Sequence, residues 1–144
     1  MPSIQSIDVA LEQLETALDL YKKEKFFSVI TLAGAAEEII GKVCREKGIE
    51  TSLESLQRSA VLMYQVLYEK EHLDAKSLEK QFATRANYAR NKTKHVNPII
   101  ESSIDVDPQE EARDMLNRAL DNWWALGQPF NRDMLEFTNA QRNV

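Results

Sequence analysis

Arg90-Asn91-Lys92-Thr93-Lys94-His95 sets a permanent cation, a carboxamide and one of the chain's two histidines within six residues. These side chains suit chemistry on a phosphodiester. A guanidinium holds phosphate through two parallel hydrogen bonds and keeps its charge. An imidazole titrates at about pH 6.5, so it gives or takes a proton near neutrality. An asparagine orients either partner. Together they fit metal-free cleavage of RNA. In that reaction a base activates the ribose 2′-hydroxyl, an arginine stabilises the phosphorane-like charge, and an acid protonates the leaving 5′-oxygen. Two proton-transfer roles are required and the motif holds one histidine. A two-fold dimer with the motif at its interface would supply the other.

The surrounding charge supports a phosphate-bearing ligand. From Ala75 to His95 there are six basic residues (Lys76, Lys80, Arg85, Arg90, Lys92 and Lys94) and one acidic residue, Glu79. The segment therefore carries +5 in a chain of net charge −5. Charge gathered this way is the footprint of an anionic partner rather than of general solubility. Arg90, Asn91 and His95 are the candidate catalytic residues, and Arg85, Lys92 and Lys94 the candidate substrate-binding residues.

Convergence of Arg90 and His95 depends on where their helix stops. Residues five apart on an ideal helix are separated by about 140° and roughly 7.5 Å along the axis. They meet only if the helix ends near Arg90 and His95 sits on an irregular segment. Pro98 disfavours helix at Asn97, and such an ending is the expectation.

The elements that must position these residues read as helices. No proline falls between Pro2 and Pro98, and no stretch alternates apolar and polar residues like a strand. A first helix is expected over residues 3–23, with Ile4, Ile7, Leu11, Leu14, Leu18 and Tyr21 as its apolar seam. A second is expected over 25–47, stopped by Gly48, with small residues Leu32-Ala33-Gly34-Ala35-Ala36 that let a neighbour approach closely. A third runs from Ser52 or Ser55 to about Lys70, with a core face of Leu53, Leu56, Ala60, Met63 and Leu67. A fourth starts at the capping residue Asp74 and runs to about Arg90, with Leu78, Phe82, Ala86 and either Ala89 or Arg90 inward. Asp107-Pro108-Gln109-Glu110 signals the start of a fifth, ending at Gly127. Residues from Pro129 form a tail with one short helix. The 144 residues thus describe a single all-α domain, an antiparallel bundle of four to five helices with its core over about 4–127 and a tail over 128–144.

The chain resembles the HEPN domains, small four-to-five-helix bundles found in prokaryotic toxin–antitoxin and defence systems. Their signature is arginine, a polar residue, a short variable spacer and histidine, the order of Arg90 to His95. Family members also carry an early helix with aromatic residues, small residues, then Ala-Glu and a lysine. Phe26-Phe27-Ser28, Ala35-Ala36-Glu37-Glu38 and Lys42 are similar to it. The resemblance spans roughly residues 4–124. It implies a symmetric homodimer with the two Arg–His motifs facing one another, often acting as a metal-independent endoribonuclease. Arg90 would then grip phosphate, Asn91 orient it, and His95 act as acid or base. Either Glu37 or Glu38 matches the family's acidic residue. The partners implied are a second copy, RNA, and a cognate antitoxin or nucleotidyltransferase-type protein. Many family members are not nucleases, so a non-catalytic module binding nucleotide, RNA or a protein is the alternative.

The remaining features point to little chemistry. Glu69-Lys70-Glu71-His72 has the Glu-x-x-His spacing of di-iron bundles, but the second such motif is missing, so no metal or cofactor is expected. Cys44 is alone, which excludes an internal disulfide and fits a buried, inert thiol. Trp123-Trp124 puts one ring toward the core and the other toward the edge, where it fits a dimer contact. Neither a signal peptide nor a membrane span is expected, and a cytoplasmic location is.

Overall fold

Local signals set the helix ends much as the sequence expects. The computed structural model describes residues 2–68, 74–97, 99 and 103–142, and every regular element among them is helical. In chain order these are α1 Ser6–Lys22, α2 Phe26–Glu46, α3 Ser52–Tyr68, α4 Ala75–Ala86, α5 Tyr88–Lys94, α6 Pro108–Ala125 and α7 Arg132–Arg142. Asp74 caps α4 by accepting from Lys76 N at 3.1 Å, and Asp107 caps α6 by accepting from Glu110 N at 3.1 Å, with Pro108 at the first helical position. Gly48 and Gly127 take φ of +71° and +77° just past the ends of α2 and α6, a conformation that favours glycine.

The core lies where α1, α2, α6 and α7 meet. Leu14 and Leu18 of α1, Ile30 and Ile40 of α2, Leu116 and Leu120 of α6, and Met134 of α7 are its largest fully buried side chains. Each stabilises the fold by about 1.5–3 kcal/mol relative to exposure. Trp123 is also buried and its Nε1 donates to Pro129 O at 3.1 Å, while the Trp124 ring is exposed beside Phe130. Cys44 is buried, as expected, and burial pushes its thiol above the ordinary range.

Several expectations need correction. The described residues hold seven helices rather than four or five. One added helix comes from a break at Asn87, which separates α4 from α5. The other is α7, the short helix expected in the tail, which buries Met134 and Phe137 in the core, so the core extends past residue 127. Ile4 lies before α1 and is exposed; Ala10 and Ala17 complete the inner face of α1 instead. The largest departure is α3. Its expected core residues Leu56, Met63 and Leu67 are exposed, and only Val61 is buried. The N-terminus of α3 is pinned to α6, where Asn122 Oδ1 accepts from Ser52 N at 2.7 Å and Asp121 Oδ2 from Ser52 Oγ at 3.3 Å. Beyond that point α4 packs beside α3 but leaves Met63 and Leu67 uncovered. The Glu69–His72 spacing lies outside the described residues.

Candidate functional site

The basic segment forms α4, α5 and the residue that ends α5. The helix does not stop near Arg90. Residues 88–94 contain no breaker, Pro98 is too far along to interfere, and His95 N donates to Asn91 O at 3.0 Å in the helical pattern. Arg90 and His95 therefore keep their helical separation of about 140°. Arg90 turns inward toward α2, and His95 is exposed as the C-cap. One chain does not bring the expected catalytic pair into a shared cleft.

Arg90 instead belongs to a buried charge cluster. Its Nη1 donates to Glu37 Oε2 at 3.4 Å. Arg118 Nη2 donates to the other oxygen, Glu37 Oε1, at 3.0 Å. Glu37 and Arg118 are 6% and 5% exposed, so this pair sits in the interior, whereas the Arg90 side chain is 21% exposed. Arg118 Nη1 also donates to Ala86 O at 3.2 Å and Asn87 Oδ1 at 2.9 Å. It thereby satisfies polar groups at the α4–α5 break. Burying ions is costly unless their remaining hydrogen-bonding capacity is used, and here most of it is. Glu38, the other acidic candidate, faces solvent and pairs with Lys42 at 3.4 Å.

Gly34 makes this arrangement possible. A Cβ at that position would stand 2.6 Å from Arg90 Cδ and 3.0 Å from Cγ. The arginine stem thus crosses α2 over a bare backbone, which is the close approach that the small-residue stretch implies. Gly41 plays a looser version of the same part, with Asn122 Nδ2 and Thr51 Cγ2 each 3.7 Å from its notional Cβ.

The outer side of the same segment is polar, basic and aromatic. Tyr88, Asn91 and His95 fall within about 60° of one another on the helical wheel, opposite buried Ala89. Asn91, Lys94 and His95 are exposed, and the Lys92 ammonium lies 5.8 Å from the Tyr88 ring centroid. Arg85 is exposed and joins Lys80, Thr84 and Tyr88 around a shallow depression of about 460 Å³. An exposed phenol ring flanked by cations offers a stacking surface and phosphate contacts together. Of the six candidate residues, Arg85, Asn91, Lys92, Lys94 and His95 thus lie on or beside one outward surface, and Arg90 anchors it from behind.

No family model, curated protein or solved structure matches this chain. Function therefore rests on the site's own chemistry. Sequence reasoning missed Arg118 and Asn87 entirely. Arg118 carries a readable signal: it stands three residues after Met115 and four before Asn122, a polar residue within the buried stripe of α6. Among the described residues, no helix is long and apolar enough to cross a membrane.

Proposed function

We propose that this chain is a HEPN-like protein that acts on RNA as a homodimer, with the outer face of α5 as the working edge of a metal-independent endoribonuclease. The observation that carries this reading is the exposed grouping of Asn91, Lys94 and His95 beside Tyr88 and Arg85 in an acidic protein. His95 is the group able to move protons, and Lys92, Lys94 and Arg85 hold the phosphate backbone. A two-fold axis beside α5 would set two His95 imidazoles across one phosphodiester, one as base and one as acid. Arg90 then acts mainly from behind, by fixing α5 to α2 through Glu37. Toxin or defence roles, with a cognate antitoxin or nucleotidyltransferase-type partner, fit the same architecture.

A second reading, RNA or nucleotide binding without cleavage, is favoured by one observation. The arginine expected to stabilise the transition state is engaged with Glu37 rather than presented to solvent. One experiment separates the two. Purified protein is incubated with single-stranded RNA in EDTA, and both cleavage and RNA retention are followed. The nuclease reading expects cleavage that His95→Ala abolishes while retention persists. Equal cleavage by wild type and His95→Ala, or none by either, removes it. Retention that survives His95→Ala but collapses in Arg85→Ala/Lys94→Ala would then leave the binding module.

A further inference from the structure

An open groove of about 530 Å³ runs between α3, α4 and α6, and Arg85 lines both this groove and the depression beside Tyr88. Leu56, Phe82 and Met115 line it with apolar surface, and Glu111, Asp114 and Asp121 stand along its α6 side. The three carboxylates recur after three and seven residues, which keeps them on one face of α6 over about 15 Å. Among the described residues no cation pairs with Glu111 or Asp121, and Asp114 has only its neighbour Arg113 at 4.0 Å. Partial burial lifts all three carboxyls above their ordinary values, although Asp114 and Asp121 still face solvent. Arg118 lines the same groove at 5% exposure, with its terminal nitrogens committed elsewhere and its Nε buried without a partner.

The groove opens onto the uncovered stripe of α3. Leu56, Ala60, Met63 and Leu67 fall within about 60° of arc. Met63 and Leu67 are 64% and 67% exposed, and Leu62 and Val66 widen the apolar surface. A contiguous patch of this kind beside an acidic row marks an interaction surface.

We propose that this surface docks an amphipathic helix of a partner protein, its apolar residues against Leu56, Met63 and Leu67 and its lysines or arginines against Glu111, Asp114 and Asp121. Charge complementarity requires a basic occupant. Neither α3 nor α4 of a second copy offers one. The apolar stripe of α3 comes with a single base, Arg58, which is already paired with Glu50 at 3.0 Å. The bases of α4 come with apolar residues, Leu78, Phe82 and Ala86, that are partly buried on its inner side. The stripe from Leu56 to Leu67 spans about 16 Å, so the docked helix needs about three turns. The surface meets the proposed RNA face at Arg85, but its apolar and acidic contacts are separate, so the docking proposal survives a failure of the RNA reading.

The test uses the full chain and a fluorescein-labelled leucine–lysine amphipathic peptide of about 14 residues, with a leucine–glutamate counterpart, followed by anisotropy. The leucine–lysine peptide should bind about tenfold tighter than its counterpart. Asp114→Asn/Asp121→Asn should weaken it about fivefold, and Met63→Ser/Leu67→Ser should weaken it comparably. Asp8→Asn/Glu12→Gln removes the same charge from exposed positions on α1 and should leave affinity unchanged. Circular dichroism confirms that each variant is folded. The proposal is overturned if the α1 variant weakens binding as much as the groove variant, which is the mark of non-specific attraction to an acidic protein. It is equally overturned if the peptide does not bind. Self-association of the chain that Met63→Ser/Leu67→Ser abolishes would also overturn it, by making a second copy the occupant.

Discussion

Glu37→Gln removes the charge that two arginines share. Glu37 is 6% exposed and Arg118 is 5% exposed, with Arg118 Nη2 at 3.0 Å from Glu37 Oε1. An amide of the same shape keeps an acceptor but leaves the Arg118 guanidinium buried without a counter-charge. Breaking a buried pair by removing one member costs about 3–5 kcal/mol. The Arg90 contact is longer, 3.4 Å, and its side chain is 21% exposed, so solvent screens it and it contributes about 1 kcal/mol or less. The loss in Glu37→Gln should therefore resemble that of Arg118→Met and greatly exceed that of Arg90→Met. Urea unfolding followed by circular dichroism measures each, and a melt should show a fall of roughly 10–20 °C for Glu37→Gln. Because the penalty lies in the orphaned charge, Glu37→Met/Arg118→Met should recover part of the single-variant losses. Recovery should be incomplete, since Arg118 also serves Ala86 O and Asn87 Oδ1. A loss below about 1 kcal/mol for Glu37→Gln, or equal losses for Arg90→Met and Arg118→Met, would refute this account of the cluster.

Gly34→Ala should destabilise by up to about 2 kcal/mol, since overpacking against Arg90 exceeds the gain of about 1 kcal/mol in helix propensity. In an Arg90→Ala background the same substitution should become stabilising, a reversal of sign readable by urea unfolding. Asp107→Ala should cost about 1 kcal/mol by orphaning the Glu110 amide at the start of α6, visible as a lower urea midpoint with an unchanged slope. The groove carboxyls give a pH signature. Burial raises Glu111, Asp114 and Asp121 above ordinary values of 4.5, 3.8 and 3.8, so the folded state holds their protons more tightly than the unfolded state. Their favourable contribution is complete below those ordinary values and is lost as pH rises through the folded ones. Asp114→Asn/Asp121→Asn should thus melt higher than wild type at pH 7, with the gap closing toward pH 3.5; a gap of constant size would contradict the assignment.

The limits of helices were legible because they depend on residues a turn apart. Asp74 and Asp107 cap where their spacing says they should, and Gly48 and Gly127 end α2 and α6. The inner face of α1 was legible in part for the same reason: Leu14 and Leu18 are buried, whereas Ile4 is exposed and Ala10 and Ala17 went unread. The face of α3 was not. Periodicity shows that Leu56, Met63 and Leu67 share a side, but whether that side is covered depends on where α6 and α4 lie. The break at Asn87 was also hidden, since it is stabilised by Arg118, 31 residues further along the chain.

The chain's own pattern settled that it is helical, where most helices begin and end, and that its positive charge gathers on one segment; each follows from interactions within a few residues. Tertiary structure alone decided which way those charges face. Glu37 meets Arg90 across 53 residues of sequence and Arg118 across 81. No local rule reaches that far, because a buried carboxylate takes whichever cations the packing of helices delivers. That packing drew Arg90 inward over Gly34 and left His95, at the C-cap of α5, outside.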